Sequence, residues 1–288
     1  MKNILVLVSL MLLTICVISV NSLFMRLENR TGEEIIHKER ETVFSPNTEN
    51  LTITVVYDNN RYKKGLATAW GFSCLIRGTE KTILFDTGGD SSILLANMEK
   101  LGINPKEVEV VVLSHIHSDH VGGLVRFLEI NPEVTIYLPK SFPQEFKAAV
   151  RSHCAEVVEV QEPLHICEKV ITTGELGTVI KEQSLIIQTD GGLIVITGCA
   201  HPGIVETISK ARDLGGDNLL FVMGGFHLVG ESKNRIEEII SHFKKLEVRY
   251  VGPCHCSGDT ARQLFVQGYK DRFIEIGVGR LITIEDLR

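Results

Sequence analysis

Three imidazoles and a carboxylate fall within a few positions in Ser114-His115-Ile116-His117-Ser118-Asp119-His120. Neutral imidazole and carboxylate are good ligands for Zn²⁺ and related ions. So dense a polar cluster at the end of an apolar strand is costly to bury unless a cation compensates it. The preceding Val108-Glu109-Val110-Val111-Val112-Leu113 has the β-branched character of a buried strand. Gly122-Gly123 allows close backbone approach where a helix begins. The cluster therefore belongs on a strand-to-helix loop. His115 and His117, two apart, project to one side of an extended chain, while Asp119 and His120 fold back as it turns. Two adjacent metal positions can be served.

Further candidates follow in order. Thr82-Ile83-Leu84-Phe85-Asp86-Thr87-Gly88 reads as a strand ending in an acidic turn, although Asp-Thr-Gly suits a turn by itself. Val195-Ile196-Thr197-Gly198-Cys199-Ala200-His201-Pro202-Gly203 offers His201, and Pro253-Cys254-His255-Cys256-Ser257-Gly258 offers His255. With the first cluster, this order resembles the metallo-β-lactamase superfamily from about Leu51 to the C-terminus. The resemblance implies an α/β fold, the αββα sandwich of two mixed sheets with outer helices. It also implies that His115, His117 and His201 hold one metal, that Asp119, His120 and His255 hold a second, and that Asp86 lies beneath them as partner to a ligating imidazole. Zinc is the expected cofactor, as one or two ions, with manganese or iron left open. His117 stands where oxygen-reducing di-iron members usually carry Glu, which argues for zinc-like hydrolytic ligation.

One departure matters. Most members carry a metal-bridging aspartate after the strand equivalent to Asn218-Leu219-Leu220-Phe221-Val222-Met223, where this chain continues Gly224-Gly225-Phe226-His227. Three options follow: a hydroxide alone bridges the metals, His227 takes a ligand or catalytic role, or the second ion is weak. Met-Gly-Gly-Phe-His-Leu, Gly-Cys-Ala-His-Pro-Gly and Cys-His-Cys-Ser-Gly together resemble the 7,8-dihydropterin synthase-like branch. Its members are described as transferases joining a dihydropterin methyl carbon to a ribofuranosyl-aminobenzene phosphate. One fold hosts unrelated reactions, so the branch says less about substrate than the superfamily says about metal.

The leading expectation is hydrolase-type chemistry, in which metal-bound hydroxide attacks an acyl or phosphoryl centre. Asp119 would orient a metal or accept a proton, and His227 would donate a hydrogen bond to the developing oxyanion. The dihydropterin synthase-like transferase is the alternative, and a non-catalytic metal-binding module the second. The expected partner is a small-molecule substrate, phosphorylated or not. Cys199, two before His201, is placed to line the site, but nothing nearby in sequence orients it as a nucleophile. Phe226 and the segment 59–70, with Lys63, Lys64, Leu66 and Trp70, are candidates for substrate contact and equally for packing.

These residues need strand ends to hold them. Strands are expected at 51–58, 72–77, 82–85, 108–113, 134–138, 156–160, 169–173, 184–188, 193–197, 219–223, 249–251 and 281–284, with Asp190-Gly191-Gly192 as a hairpin turn. Helices are expected at 91–101, 123–129, 144–152, 204–214, 232–244 and 259–267. All metal candidates then fall at strand ends along one edge. His37, His153, His165 and His242 have no such placement and read as structural or solvent-facing.

At 288 residues and 44% hydrophobic, the chain is long enough for one large core, and its formal charge of -6 argues against a broad nucleic-acid-binding surface. Residues 4–20 are almost wholly apolar after a single Lys2, which at about 1.5 Å per residue gives roughly 26 Å, near the low end of a bilayer core. Residues 1–27 thus read as a hydrophobic helix serving as signal anchor or signal peptide, 28–50 as a linker, and 51–288 as the catalytic domain. Contact with a membrane through this segment and an extracytoplasmic location, anchored or secreted, follow as expectations. Arg26 and Arg30 after the apolar run leave its orientation weakly specified.

Overall fold

The computed structural model describes residues 48–153 and 156–288. Residues 1–27, nearly all of the linker, His37 and Cys154 lie outside the described residues, and with them the expected hydrophobic helix. The linker's last residues, Thr48–Asn50, form a 3-10 turn leading into the first strand. Among the described residues, no helix is long and apolar enough to cross a membrane.

The first half runs β1 (Thr52–Asp58), β2 (Phe72–Arg77), β3 (Ile83–Phe85), α1 (Ser91–Lys100), β4 (Val110–Val112), α2 (Ser118–Val121), α3 (Leu124–Ile130), β5 (Thr135–Pro139), α4 (Gln144–Arg151) and β6 (Glu156–Val160). The second runs β7 (Leu164–Cys167), β8 (Val170–Thr172), β9 (Leu185–Thr189), β10 (Gly192–Thr197), α5 (Ile204–Gly215), β11 (Leu219–Gly225), α6 (Lys233–Lys245), β12 (Tyr250–Cys254), α7 (Gly258–Tyr269) and β13 (Leu281–Thr283). The expected strands and helices form, with ends shifted by a few residues. Asp190-Gly191 closes the hairpin between β9 and β10, where Thr189 pairs with Gly192.

The strands form two mixed sheets, in the orders β13-β1-β2-β3-β4-β5-β6 and β12-β11-β10-β9-β8-β7. β3 to β6 are parallel to one another, as are β10 to β12, and the remaining neighbours are antiparallel. Both faces of the central strands are covered, which explains their nearly continuous apolar sequence. Alternate side chains divide between layers. Ile83, Phe85, Val110 and Val112 meet Ile194 and Ile196 between the sheets. Leu84 and Val111 face Leu94, Leu124 and Phe127 on one outer side, and Leu193 and Val195 face Ile204, Ile208 and Ile236 on the other. Each such side chain, fully buried, contributes about 1.5–3 kcal/mol. The helices follow the same logic. Ile236, Ile239, Ile240 and Phe243 form one buried stripe on α6, which Ser232 caps by accepting the Arg235 N–H.

Candidate metal centre

The site is assembled where parallel strands end. Asp86 follows β3, Ser114 and His115 follow β4, Cys199 and His201 follow β10, His227 follows β11, and His255 follows β12. α2 then turns Asp119 and His120 back beside His115. Gly122 and Gly123 make that turn possible by close approach rather than unusual backbone angles. A Cβ on them would lie 2.3 Å from the Gly89 carbonyl oxygen and 2.2 Å from that of Thr87. Asp86, Ala200, His227 and His255, all non-glycine, have φ between +46° and +58°. That left-handed backbone costs about 1–3 kcal/mol per residue and is characteristic of functional loops.

The nitrogens and oxygens converge in two sets, each with its ligand-type atoms within 4.8 Å of one another. In the first, His117 Nδ1 lies 3.1 Å from His115 Nε2 and 3.2 Å from His201 Nε2. In the second, His120 Nε2 lies 3.3 Å from His255 Nε2, and Asp119 Oδ2 lies 3.2 Å from His255 Nε2 and 3.6 Å from His120 Nε2. The six residues named from sequence as candidate ligands fall within these two sets, three in each. Cys199 joins the second set, its Sγ 3.2 Å from His120 Nε2.

The outer partners decide which ring nitrogen carries the proton. Asp86 Oδ1 accepts the Ser114 N–H, while its Oδ2 accepts the Ser114 hydroxyl and His120 Nδ1–H, each at 2.7 Å. The Ser114 hydroxyl proton is thus committed to Asp86, and its oxygen accepts from His115 Nδ1 at 2.9 Å. His255 Nδ1–H donates to Asn59 Oδ1 at 3.0 Å. The inner Nε2 atoms of His115, His120 and His255 are left with lone pairs pointing into the site. In the second set these lone pairs meet the Asp119 carboxylate with no ring proton between them, and in the first the His115 lone pair faces the His117 and His201 nitrogens. A divalent cation satisfies them, so the donor chemistry fits zinc or a similar ion.

Burial and neighbouring charge reinforce each other at His115 and His201 and oppose each other at Asp119 and His120. Burial, reinforced by the neighbouring histidines, holds His115 well below the usual imidazole range, and burial with His227 nearby lowers His201 to about 4. Burial alone would raise Asp119, but the neighbouring His255 and His120 rings bring it below the ordinary carboxylate range. Burial disfavours charge on His120, while Asp86 outweighs it and makes the ring more basic. Neutral imidazoles and an ionised carboxylate are the forms that bind metal.

Several supports had no sequence signal. Buried Glu182 accepts the backbone N–H groups of Gly198, Cys199, Ala200 and His201 at 2.8–3.1 Å, clamping the loop that carries Cys199 and His201. Gln183 donates to the Leu113 and Tyr137 carbonyls, tying the start of β9 to the end of β4. Asn59 and Ser114 orient two of the rings. His227 lies outside both sets, exposed, its ring 4.4 Å from that of His201. It helps line a cavity of about 350 Å³ with His201, Pro202, Glu231 and Arg235. Trp70, 53% exposed, packs its ring 4.8 Å from His255. Phe226 corrects the substrate-contact option: it is 1% exposed and packs on Phe243 and Phe265, within the core.

Fold and site together define a metallo-β-lactamase-type protein, and the chain belongs to that superfamily, whose model matches residues 71–209. It is 31% identical over 284 residues to the 7,8-dihydropterin-6-methyl-4-(beta-D-ribofuranosyl)-aminobenzene-5'-phosphate synthase of Methanocaldococcus jannaschii, covering 81% of this chain and 97% of that one. A solved metal-dependent hydrolase of the beta-lactamase superfamily is 28% identical, with a TM-score of 0.68 over 81% of this chain and 98% of its own. YhfI of Bacillus subtilis, at 14% identity and a TM-score of 0.61 over 81% of this chain and 99% of its own, shares the fold.

Proposed function

We propose that the chain is a metal-dependent enzyme of hydrolase type acting on a small molecule, with His115, His117 and His201 as one ligand set and Asp119, His120 and His255 as the other. The observation that carries this reading is the inward set of lone pairs, fixed by Asp86, Ser114 and Asn59. Zinc bound there would supply a Lewis acid and a water whose pKa falls toward about 7. Asp119, half-buried and ionised, accepts a proton beside His120 and His255. His227, on the cavity wall, donates a hydrogen bond to a substrate oxygen that gains charge. Arg235, which lines the same cavity, offers a cation to a phosphate or carboxylate.

The relative spanning nearly the whole described unit supports a second reading, a synthase-like transfer between a pterin and a phosphorylated aminobenzene riboside. An exposed Trp70 beside His255 gives a planar ring a surface to stack on. Metal-replete turnover on phosphodiesters, lactones, thioesters and β-lactams, against a dihydropterin paired with the aminobenzene riboside phosphate, separates the two. Hydrolysis without a second organic substrate supports the first; a joined product only with both partners supports the second. His227→Ala should lower kcat about 100-fold with metal content unchanged. Unchanged turnover removes the role given to His227.

From the sequence of residues 1–27 we further infer that the catalytic unit, 51–288, is tethered to or exported across a membrane. Protease accessibility of the full chain in intact cells tests this.

A further inference from the structure

We propose that Asn60 and Arg262, both outside the two ligand sets, are positioning residues for His255: by locking the Asp58-Asn59-Asn60 turn they let Asn59 hold that ring with its Nε2 lone pair toward Asp119 and His120. The inference rests on the metal-dependent reading of the site.

The turn leaves β1 beside the segment that carries His255. Asp58 is fully buried, and its Oδ1 accepts both the Asn60 backbone N–H and the Asn60 side-chain amide, each at 2.6 Å. The other end of that amide, Oδ1, accepts from the Arg262 guanidinium at 2.7 Å. A flip of the Asn60 amide would set its N–H groups against the guanidinium and its oxygen against the carboxylate, so charge on both sides fixes one orientation. Arg262, in α7, also donates to the Ile276 carbonyl at 3.3 Å, and the Asn60 carbonyl accepts the Val278 N–H at 2.8 Å. The Cys254 thiol donates to Asp58. The turn is thus bound both to the residue before His255 and to the helix after it.

Between those anchors lies Asn59. Its Nδ2 donates to the His255 carbonyl at 3.4 Å, which leaves Oδ1, 3.0 Å from His255 Nδ1, as an acceptor. The ring must then carry its proton on Nδ1, and Nε2 keeps a lone pair 3.2 Å from Asp119 Oδ2 and 3.3 Å from His120 Nε2. One side chain therefore sets both the tautomer of the ring and the backbone of a residue held at φ +46°. None of these hydrogen bonds reaches His115, His117 or His201, so the turn acts on one metal position and not on the other.

Zinc titration of the full chain against a chromogenic chelator, resolved into two equivalents, tests the assignment without turnover. Asn60→Leu and Arg262→Met should weaken one equivalent about 10- to 100-fold and leave the other within about twofold, and Arg262→Lys should restore most of the loss. Asn59→Leu should weaken the same equivalent, and Asn59→Leu combined with Asn60→Leu should bind it no more weakly than Asn59→Leu alone, because Asn60 acts through Asn59. Losses that add, losses shared by both equivalents, or affinities that do not move overturn the proposal. The side-chain nitrogen NMR spectrum of zinc-loaded wild type decides alone if the variants do not fold: His255 protonated at Nδ1 and bound through Nε2 is the expected result, and the reverse tautomer overturns the proposal. A wild-type chain that takes up no zinc overturns the metal reading itself, and this proposal with it; with uptake intact, the variants judge the turn alone.

Discussion

Asp86 acts through its neighbours. One carboxylate fixes His120 directly and His115 through Ser114, so two rings in different sets depend on it. Asp86→Asn keeps the size but places an amide where one oxygen accepts two donors. Metal affinity should fall about 10- to 100-fold in competition with a chromogenic chelator; an unchanged affinity would mean that the rings are held by packing alone. Asp58, at the end of β1, carries a different prediction. Burial raises its carboxyl from 3.8 to about 6 against the opposing Asn60 and Cys254 hydrogen bonds. The folded chain then keeps a proton that the unfolded chain releases, so stability is lost as pH rises through that window. The melting temperature of wild type minus that of Asp58→Asn should increase as pH falls from about 7 to about 4. A difference flat with pH contradicts the raised value. The candidate ligands were legible because few residue types bind metal and their spacing is tight. Asn59 and Glu182 were not, because any polar side chain can serve a ring or a backbone N–H, and Asn59 is 196 positions from its histidine.

Elements position the site through strand ends and tight passages. Gly198 sits where a Cβ would come 2.1 Å from Ser114 Oγ and 3.0 Å from Asp86 Oδ2. Gly198→Ala should therefore destabilise by about 1–3 kcal/mol in denaturant unfolding and disturb the Asp86–Ser114–His115 chain at once. Wild-type stability with full metal uptake would show that the loop after β10 can shift freely. The strand at 82–85 was readable in sequence, but the division of Ile83 and Phe85 from Leu84 between two layers was not, because a continuous apolar run has no alternation to read. Nor was Phe226: an aromatic residue beside a site histidine looks the same in sequence whether it faces substrate or core, and only its packing on α6 and α7 distinguishes them.

At the scale of the whole molecule, two sheets packed face to face bring the carboxyl ends of β3, β4, β10, β11 and β12 to one place, which no single segment of the chain could do. Histidines 84 and 135 positions apart meet only because both sheets share one core. The motif order was visible in sequence through its resemblance to a known superfamily, but the inclusion of Cys199 in a ligand set was not, since spacing alone does not fix the side on which the turn after β10 places its sulfur. The central claim is that cations occupy the spaces between these lone pairs. Anomalous diffraction from crystals of zinc-replete protein, collected on both sides of the zinc edge, tests it directly. The account predicts one peak among His115, His117 and His201 and a second among Asp119, His120, Cys199 and His255; saturating zinc with no peak within either set would contradict it.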